Sequence, residues 1–424
     1  GLDPTIAAPL AIGQVSWQNI FEGLTTVDSA GKVQPQLAES WEISSDGKTY
    51  TFKLRQGVTF HNGVAFDSSV AKFAIDRARG ADSVNPQKRY FASIETVETP
   101  DAATLVLKLK QPAGSLLYWL GWPASVMVEP KSAADNKTTP VGTGPFKFVS
   151  WQKGSKVDLA KNAEYWNKSV SVKIETAVFR FIADPQAQAA ALKAGDVDAF
   201  PEFGAPELVS SFEGDKKLTT VIGNTELKVV AGMNNSRKPF DDKKVRQALM
   251  MAVDRATVVE GAWSGYGTPI GSHYTPNDRG FKDLTGVYPY DAEKAKALLS
   301  EAGYPNGFSF TMKAPQMAYA QRSSQILQAM FAEIGVTMNI ETTEFPAKWV
   351  SDVLKAGDYD MTIVAHAEPM DIDIYARDPY YFHYKNPAFN EILAKVEATA
   401  DPAEQDKLYG EAQTILAEDV PALF

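Results

Sequence analysis

Apolar and polar residues alternate through Thr49-Tyr50-Thr51-Phe52-Lys53-Leu54-Arg55, the period of a strand with one buried face, and Ser45-Asp46-Gly47-Lys48 before it has the composition of a hairpin turn. Thr104 to Leu109 repeats the alternation and predicts a second strand. Between them the period lengthens: Val70, Phe73 and Ala74 recur three and four apart behind Asp67 or Ser68, either of which suits a helix N-cap. This block reads as α+β.

The pattern changes from about Asn234. Asp241 or Asp242 opens a helix with Val245, Ala248, Leu249 and Ala252 on one face. A helix over Asp291 to Ala302 carries Ala295, Leu298, Leu299 and Ala302 together and stops at Gly303. Then come a strand over Ser309 to Lys313, a helix over Ala318 to Glu333 with Ile326, Leu327, Met330, Phe331 and Ile334 aligned, and a strand over Thr337 to Glu341. A helix over Pro346 to Ala356 and a strand over Tyr359 to Val364 complete a β-α-β-α-β run, which right-handed crossovers close into an open, mostly parallel sheet.

Such sheets bind ligands outside the carboxyl ends of their strands, which nominates three loops: Ala314 to Met317, Thr342 to Phe345, and Ala365-His366-Ala367-Glu368-Pro369-Met370-Asp371-Ile372-Asp373. Glu368 is the main candidate in the third, with Asp371 and His366 beside it, and Arg322, near the start of the helix after the first loop, is a cation facing the same crevice. Plain loop solvation is the competing reading for the acidic run, and an exposed first-turn charge the competing reading for Arg322.

Composition narrows the chemistry. The 424 residues carry 42 Lys and Arg against 52 Asp and Glu, a net charge of -10 that opposes general attraction to nucleic acid or an anionic membrane. There is no Cys, which excludes thiolate nucleophiles, Cys-ligated zinc, iron–sulfur clusters and disulfides, and favours an oxidising compartment. No run approaches a membrane span or a signal peptide, so any leader is expected to have been removed before Gly1. The nucleophile elbow and the zinc-protease helix motif are missing; Gly47-Lys48-Thr49 has Glu42 where a P-loop needs Gly, and Gly142-Thr143-Gly144-Pro145-Phe146-Lys147 fails the dinucleotide pattern at its last position. The four His residues, His61, His273, His366 and His383, show no pair at helical ligand spacing, so no metal and no cofactor is expected. Of the eight Trp, several fall in or near predicted loops, where core packing is the default role and ligand stacking the alternative.

One stretch is specific. Leu37-Ala38-Glu39-Ser40-Trp41, running through Ser45-Asp46-Gly47-Lys48-Thr49-Tyr50-Thr51-Phe52 to Gly57-Val58-Thr59-Phe60-His61-Asn62-Gly63, resembles the signature of family 5 bacterial extracellular solute-binding proteins, the peptide and nickel binders of ABC importers. Val141-Gly142-Thr143-Gly144-Pro145-Phe146, Pro239-Phe240-Asp241-Asp242 into Ala252-Val253-Asp254-Arg255, and Ala297-Leu298-Leu299-Ser300-Glu301-Ala302-Gly303-Tyr304-Pro305 agree with it.

The resemblance implies an α/β, two-lobed periplasmic-binding-protein-like clamp with an extra α+β subdomain in lobe I. Lobe I would cover residues 1–233, the extra subdomain about 45–140, lobe II 234–418, and 419–424 would start a return to lobe I whose remainder lies past Phe424. It also implies a receptor, not an enzyme: a monomer in the periplasm or tethered outside the cell, holding a small peptide or amine-bearing solute between its lobes for a membrane permease. In dipeptide-binding relatives an acidic loop residue holds the ligand amine and an Arg at a helix start its carboxylate; Glu368 falls on the first position and Arg322 near the second, while Gln14 and Trp17, with Gly13 and Ser16, are the facing candidates on lobe I. The family's Trp-Gly-rich, Asp-Pro-containing run is replaced here by residues 365–373, which removes an aromatic wall and adds carboxylates, favouring a cationic or amine-bearing solute. Oligosaccharide and nickel-chelate receptors of the same fold are the alternatives, and a glycoside hydrolase using Glu368 and Asp371 as paired carboxylates is a remote one.

Overall fold

Burial follows the alternation in the first third of the chain. In the computed structural model, which describes residues 1–7 and 9–424, Tyr50, Phe52 and Leu54 of one strand and Leu105, Leu107 and Leu109 of another point into a common core while their neighbours stay outside. The strands are β1 (Thr25–Val27), β2 (Val33–Pro35), β3 (Ala38–Ile43), β4 (Thr49–Leu54), β5 (Ile94–Asp101) and β6 (Thr104–Leu109); β1 pairs with β2, and the other four form an antiparallel sheet in the order β3-β4-β6-β5. The helix Ser68–Arg79 begins where Asp67 accepts from the N–H groups of Ser69 and Val70. Strands β7 (Phe146–Gln152), β8 (Lys156–Lys161) and β9 (Thr176–Arg180) make a third antiparallel sheet.

These elements belong to the first of two units, Gly1–Pro201 with Glu397–Asp401. A single apolar cluster runs through it from Leu2 to Leu159 and includes the strand-rich block at about 45–140. The Gly142 loop is scaffold: a Cβ on Gly142 would lie 2.0 Å from the Ile20 carbonyl oxygen. His61 braces the same loop, its Nδ1 accepting from the Gly142 N–H at 3.3 Å and its Nε2 meeting the Gly144 carbonyl at 2.9 Å. Burial lowers its pKa to about 4.

The second unit comprises Glu202–Val396 and Pro402–Phe424. Its sheet contains β10 (Lys228–Met233), β11 (Ser309–Pro315), β12 (Thr337–Thr343), β13 (Met361–His366) and β14 (Ala422–Leu423), in the order β12-β11-β13-β10-β14. Strands β12, β11 and β13 run parallel, as the β-α-β-α-β pattern predicts; β10 runs against β13 and β14 runs against β10, so β10 is the one reversed strand among five and the sheet is mostly parallel in direction. The helix Ala318–Glu333 matches its sequence expectation, but the helix expected over Pro346 to Ala356 is a single turn, Ala347–Trp349, continued as the wider π-helical coil Val350–Lys355.

Both domain boundaries differ from the sequence reading. The unit starts near Glu202, not Asn234, because β10 is an interior strand paired on one side with β13 and on the other with β14. Residues 419–424 complete this unit, since Leu423 and Ala422 pair with Ala231 and Gly232. Met233, Met312, Met361 and Leu249 lie in one core with the aromatic group of Phe240, Phe310 and Phe331.

Candidate functional site

Parallel pairing brings the ends of β11 and β12 side by side, with Pro315 opposite Thr343, and β13 ends next to them at His366. The three nominated loops therefore leave one edge of one sheet. The third is the most constrained. Register places Lys228, the first residue of β10, opposite His366, the last of β13, so the chain leaves β13 beside a lysine.

The Lys228 side chain has no exposed surface, and its Nζ lies 2.6 Å from Asp371 Oδ1 and donates to the Glu368 carbonyl at 2.5 Å. His273 Nε2 meets the same Asp371 oxygen at 2.9 Å, and His366 Nδ1 lies 3.6 Å from the other. Each imidazole is fixed by a tyrosine: Tyr375 Oη lies 3.1 Å from His273 Nδ1 and Tyr381 Oη 2.8 Å from His366 Nε2. With Tyr375 donating to Nδ1 of His273, the Nε2–H points at Asp371. Burial alone would raise the Asp371 carboxyl, but His273 and Lys228 outweigh it and hold it well below the usual carboxylate range. Burial, with His273 beside it, pushes His366 down to about 3, so its imidazole is neutral near pH 7.

Asp371 and His366 are thereby reassigned. Sequence reasoning offered both to a ligand; in the fold Asp371, 1% exposed, is the centre of an internal ion pair and His366 packs against the Tyr381 ring at 6.0 Å. Lys228 and His273 were missed, and so was the meeting of two histidines whose rings lie 5.2 Å apart, because they come from different elements and helical spacing is blind to that. One signal was available: Lys228 opens the otherwise apolar run Val229-Val230-Ala231-Gly232-Met233. His273, His366 and Asp371 offer ligand atoms within 4.8 Å of one another, a donor set of the kind that holds a divalent ion, but the Lys228 ammonium already faces the shared carboxylate.

Arg322 is elsewhere in this unit. Its guanidinium forms a two-pronged pair with Glu207 at 3.1 and 3.2 Å, an exposed contact that holds the Glu207 carboxyl below its ordinary range. Glu368 is half-buried after the end of β13. Gln14 and Trp17 lie in the first unit, on and just after the helix Leu10–Ser16; the Trp17 ring packs against Trp122 with centroids 5.6 Å apart. A cavity of about 450 Å³ opens in the second unit, lined by Lys228, Arg255, Trp263, Ser323, Ile363 and Phe424 among others, and none of the six sequence candidates lines it.

Comparison with known proteins places these features among relatives. Residues 32–388 match the family model for bacterial extracellular solute-binding proteins, family 5, middle region. The glutathione-binding protein GsiB of Pectobacterium atrosepticum is 33% identical over 100% of this chain and 85% of its own length, and GsiB of Escherichia coli K12 is 32% identical over 99% and 85%. Among solved structures, the binding protein AgaA of A. tumefaciens R10 in complex with agropinic acid is 30% identical, with a TM-score of 0.83 over 100% of this chain and 88% of that one. DppA of Helicobacter pylori in complex with the peptide STSA is 27% identical, with a TM-score of 0.82 over 100% and 89%. These likenesses bear out the α/β periplasmic-binding-protein class expected from the sequence.

Proposed function

We propose, from the premise that this chain belongs to family 5 of the bacterial extracellular solute-binding proteins, that it is the solute receptor of an ABC importer and takes a small peptide or other amine-bearing solute. The observation that carries the choice of solute is the loop after β13, where Glu368 follows the strand end on a main chain anchored by Lys228. A buried ligand amine needs a paired carboxylate, since an unpaired buried charge costs several kcal/mol, on the order of 3–5. Asp371 is already committed to Lys228 and His273, and Glu368, which follows the strand end, is the carboxylate assigned that role in this reading. Glutathione, a tripeptide with a free amino group, is the solute named for the GsiB relatives and suits this chemistry.

In this role no bond is made or broken. The receptor works outside the cytoplasm as a monomer and hands its solute to a membrane permease. The paired-carboxylate hydrolase is disfavoured by the Asp371 ion pair, which ties up the second carboxylate such a mechanism requires.

Native mass spectrometry of gently purified protein, followed by denaturation to release what is bound, tests the reading. A released peptide or amine supports it; a released sugar or a metal chelate overturns the choice of solute. Glu368→Gln is expected to weaken an amine ligand by about 2 kcal/mol or more, read by calorimetry, and unchanged affinity removes Glu368 from the site.

A further inference from the structure

We infer that Lys228 is a positioning residue for solute recognition: one ammonium ties the main chain at Glu368 to the Asp371 carboxylate and so fixes where the Glu368 side chain starts. The inference rests on the reading of Glu368 given above. Lysine is among the residues least often buried, yet the Lys228 side chain is wholly enclosed, and two of its three donors are accounted for by the Glu368 carbonyl and Asp371 Oδ1.

The loop is held at three successive points. Lys228 holds the Glu368 carbonyl at 2.5 Å; the Met370 N–H donates to Asp278 at 2.9 Å where Met370 takes a left-handed backbone with φ 51°; and Asp371 receives Lys228 at 2.6 Å and His273 at 2.9 Å. Met370 and Asp371 could be held without Lys228. The Glu368 carbonyl accepts from Lys228, so Lys228 ties the rigid end of the loop to the residue that would meet the solute. Lys228 and His273 share Asp371 Oδ1, and the ammonium comes from the first residue of β10, which gives the support a fixed stem in the sheet. Recognition groups need such support because a shift of about 1 Å is enough to lose a charge-assisted hydrogen bond.

The test uses Lys228→Met/Asp371→Asn, which removes both buried charges together and leaves no unpaired ion, with Lys228→Met alone and Glu368→Gln beside it. Affinities for glutathione and its des-amino analogue are measured by calorimetry on each folded variant. The wild type is expected to prefer the amine by about tenfold or more, and both Glu368→Gln and the double variant to reduce that ratio to about threefold or less, with des-amino affinity held. General destabilisation would move both affinities together. A double variant that keeps the wild-type ratio while Glu368→Gln loses it overturns the inference about Lys228 alone; a ratio that survives Glu368→Gln, or a wild type that binds neither probe, overturns the reading of Glu368. Amide exchange of residues 367–371 decides Lys228 without any ligand. Exchange faster by about tenfold in the double variant, confined to that loop while β11 and β12 keep their protection, supports the tie, and unchanged exchange overturns it.

Discussion

His366 makes the stability of the second unit depend on acid in a way that one substitution isolates. Burial, and His273 next to it, lower its pKa from 6.5 to about 3, against the partial offset of Asp371; Lys228 and Arg377 add to the lowering, and Tyr381 holds Nε2. Between those two values the unfolded chain takes up a proton that the folded chain refuses, so stability is fully present above the unfolded pKa and is lost as pH falls below it. Moving from about pH 7 to about pH 5 crosses only the upper value and costs about 2 kcal/mol, or about 4–8 °C in melting temperature for a unit of this size. Asp371, depressed below its ordinary range, stays charged in both conditions and adds no slope there. His61, in the other unit, titrates in the same window but is untouched by the substitution, so its share cancels. His366→Gln keeps a polar group toward Tyr381 and removes the titration. Urea unfolding of wild type and variant at the two pH values is expected to show the variant's acid loss smaller by about 2 kcal/mol, whatever its stability at neutral pH. Equal acid losses would mean that the native imidazole binds its proton as the unfolded one does, and the reasoning that buried His366 is neutral would be refuted.

Glu207→Gln is expected to change the melting temperature very little, because an exposed ion pair contributes about 0–1 kcal/mol, and to raise affinity for a solute carboxylate by a few-fold if Arg322 meets it; calorimetry with an amidated and a free-acid peptide checks this. Gly142→Ala forces a Cβ to within 2.0 Å of the Ile20 carbonyl, and a loss on the order of 3 kcal/mol or more is expected in urea unfolding of the first unit.

Legibility in the sequence tracked how far each pattern is sustained. The helix Ala318–Glu333 holds a 3.6 period for sixteen residues and was bounded correctly; β11, β12 and β13 follow from their alternation with helices, which also places the loop bearing Glu368 at the carboxyl end of the sheet. Strand β10 escaped because Lys228–Met233 is a short apolar run buried on both faces, without alternation, and β14 because Ala422–Leu423 is too short to show any period. Missing those two moved both domain boundaries. The side-chain cluster escaped for a different reason: Lys228, His273, His366 and Asp371 meet only through strand register and a turn 98 residues from His273, separations no local window spans.

The two carboxylates that looked equivalent in residues 365–373 are separated by what surrounds them. Asp371 lies where water cannot reach, so its charge has to be balanced inside the protein; Lys228 does so, and His273 adds a contact to the same oxygen. A ligand amine arriving at Asp371 would face an ammonium 2.6 Å from the oxygen it sought, so the Lys228 charge turns away the cation that Asp371 would otherwise attract. Glu368 gives its carbonyl to the same lysine and stands half-buried three residues earlier in the loop. On the proposed reading the buried pair sets the geometry and Glu368 meets the solute, so Asp371→Asn is expected to act through the loop and Glu368→Gln through the ligand.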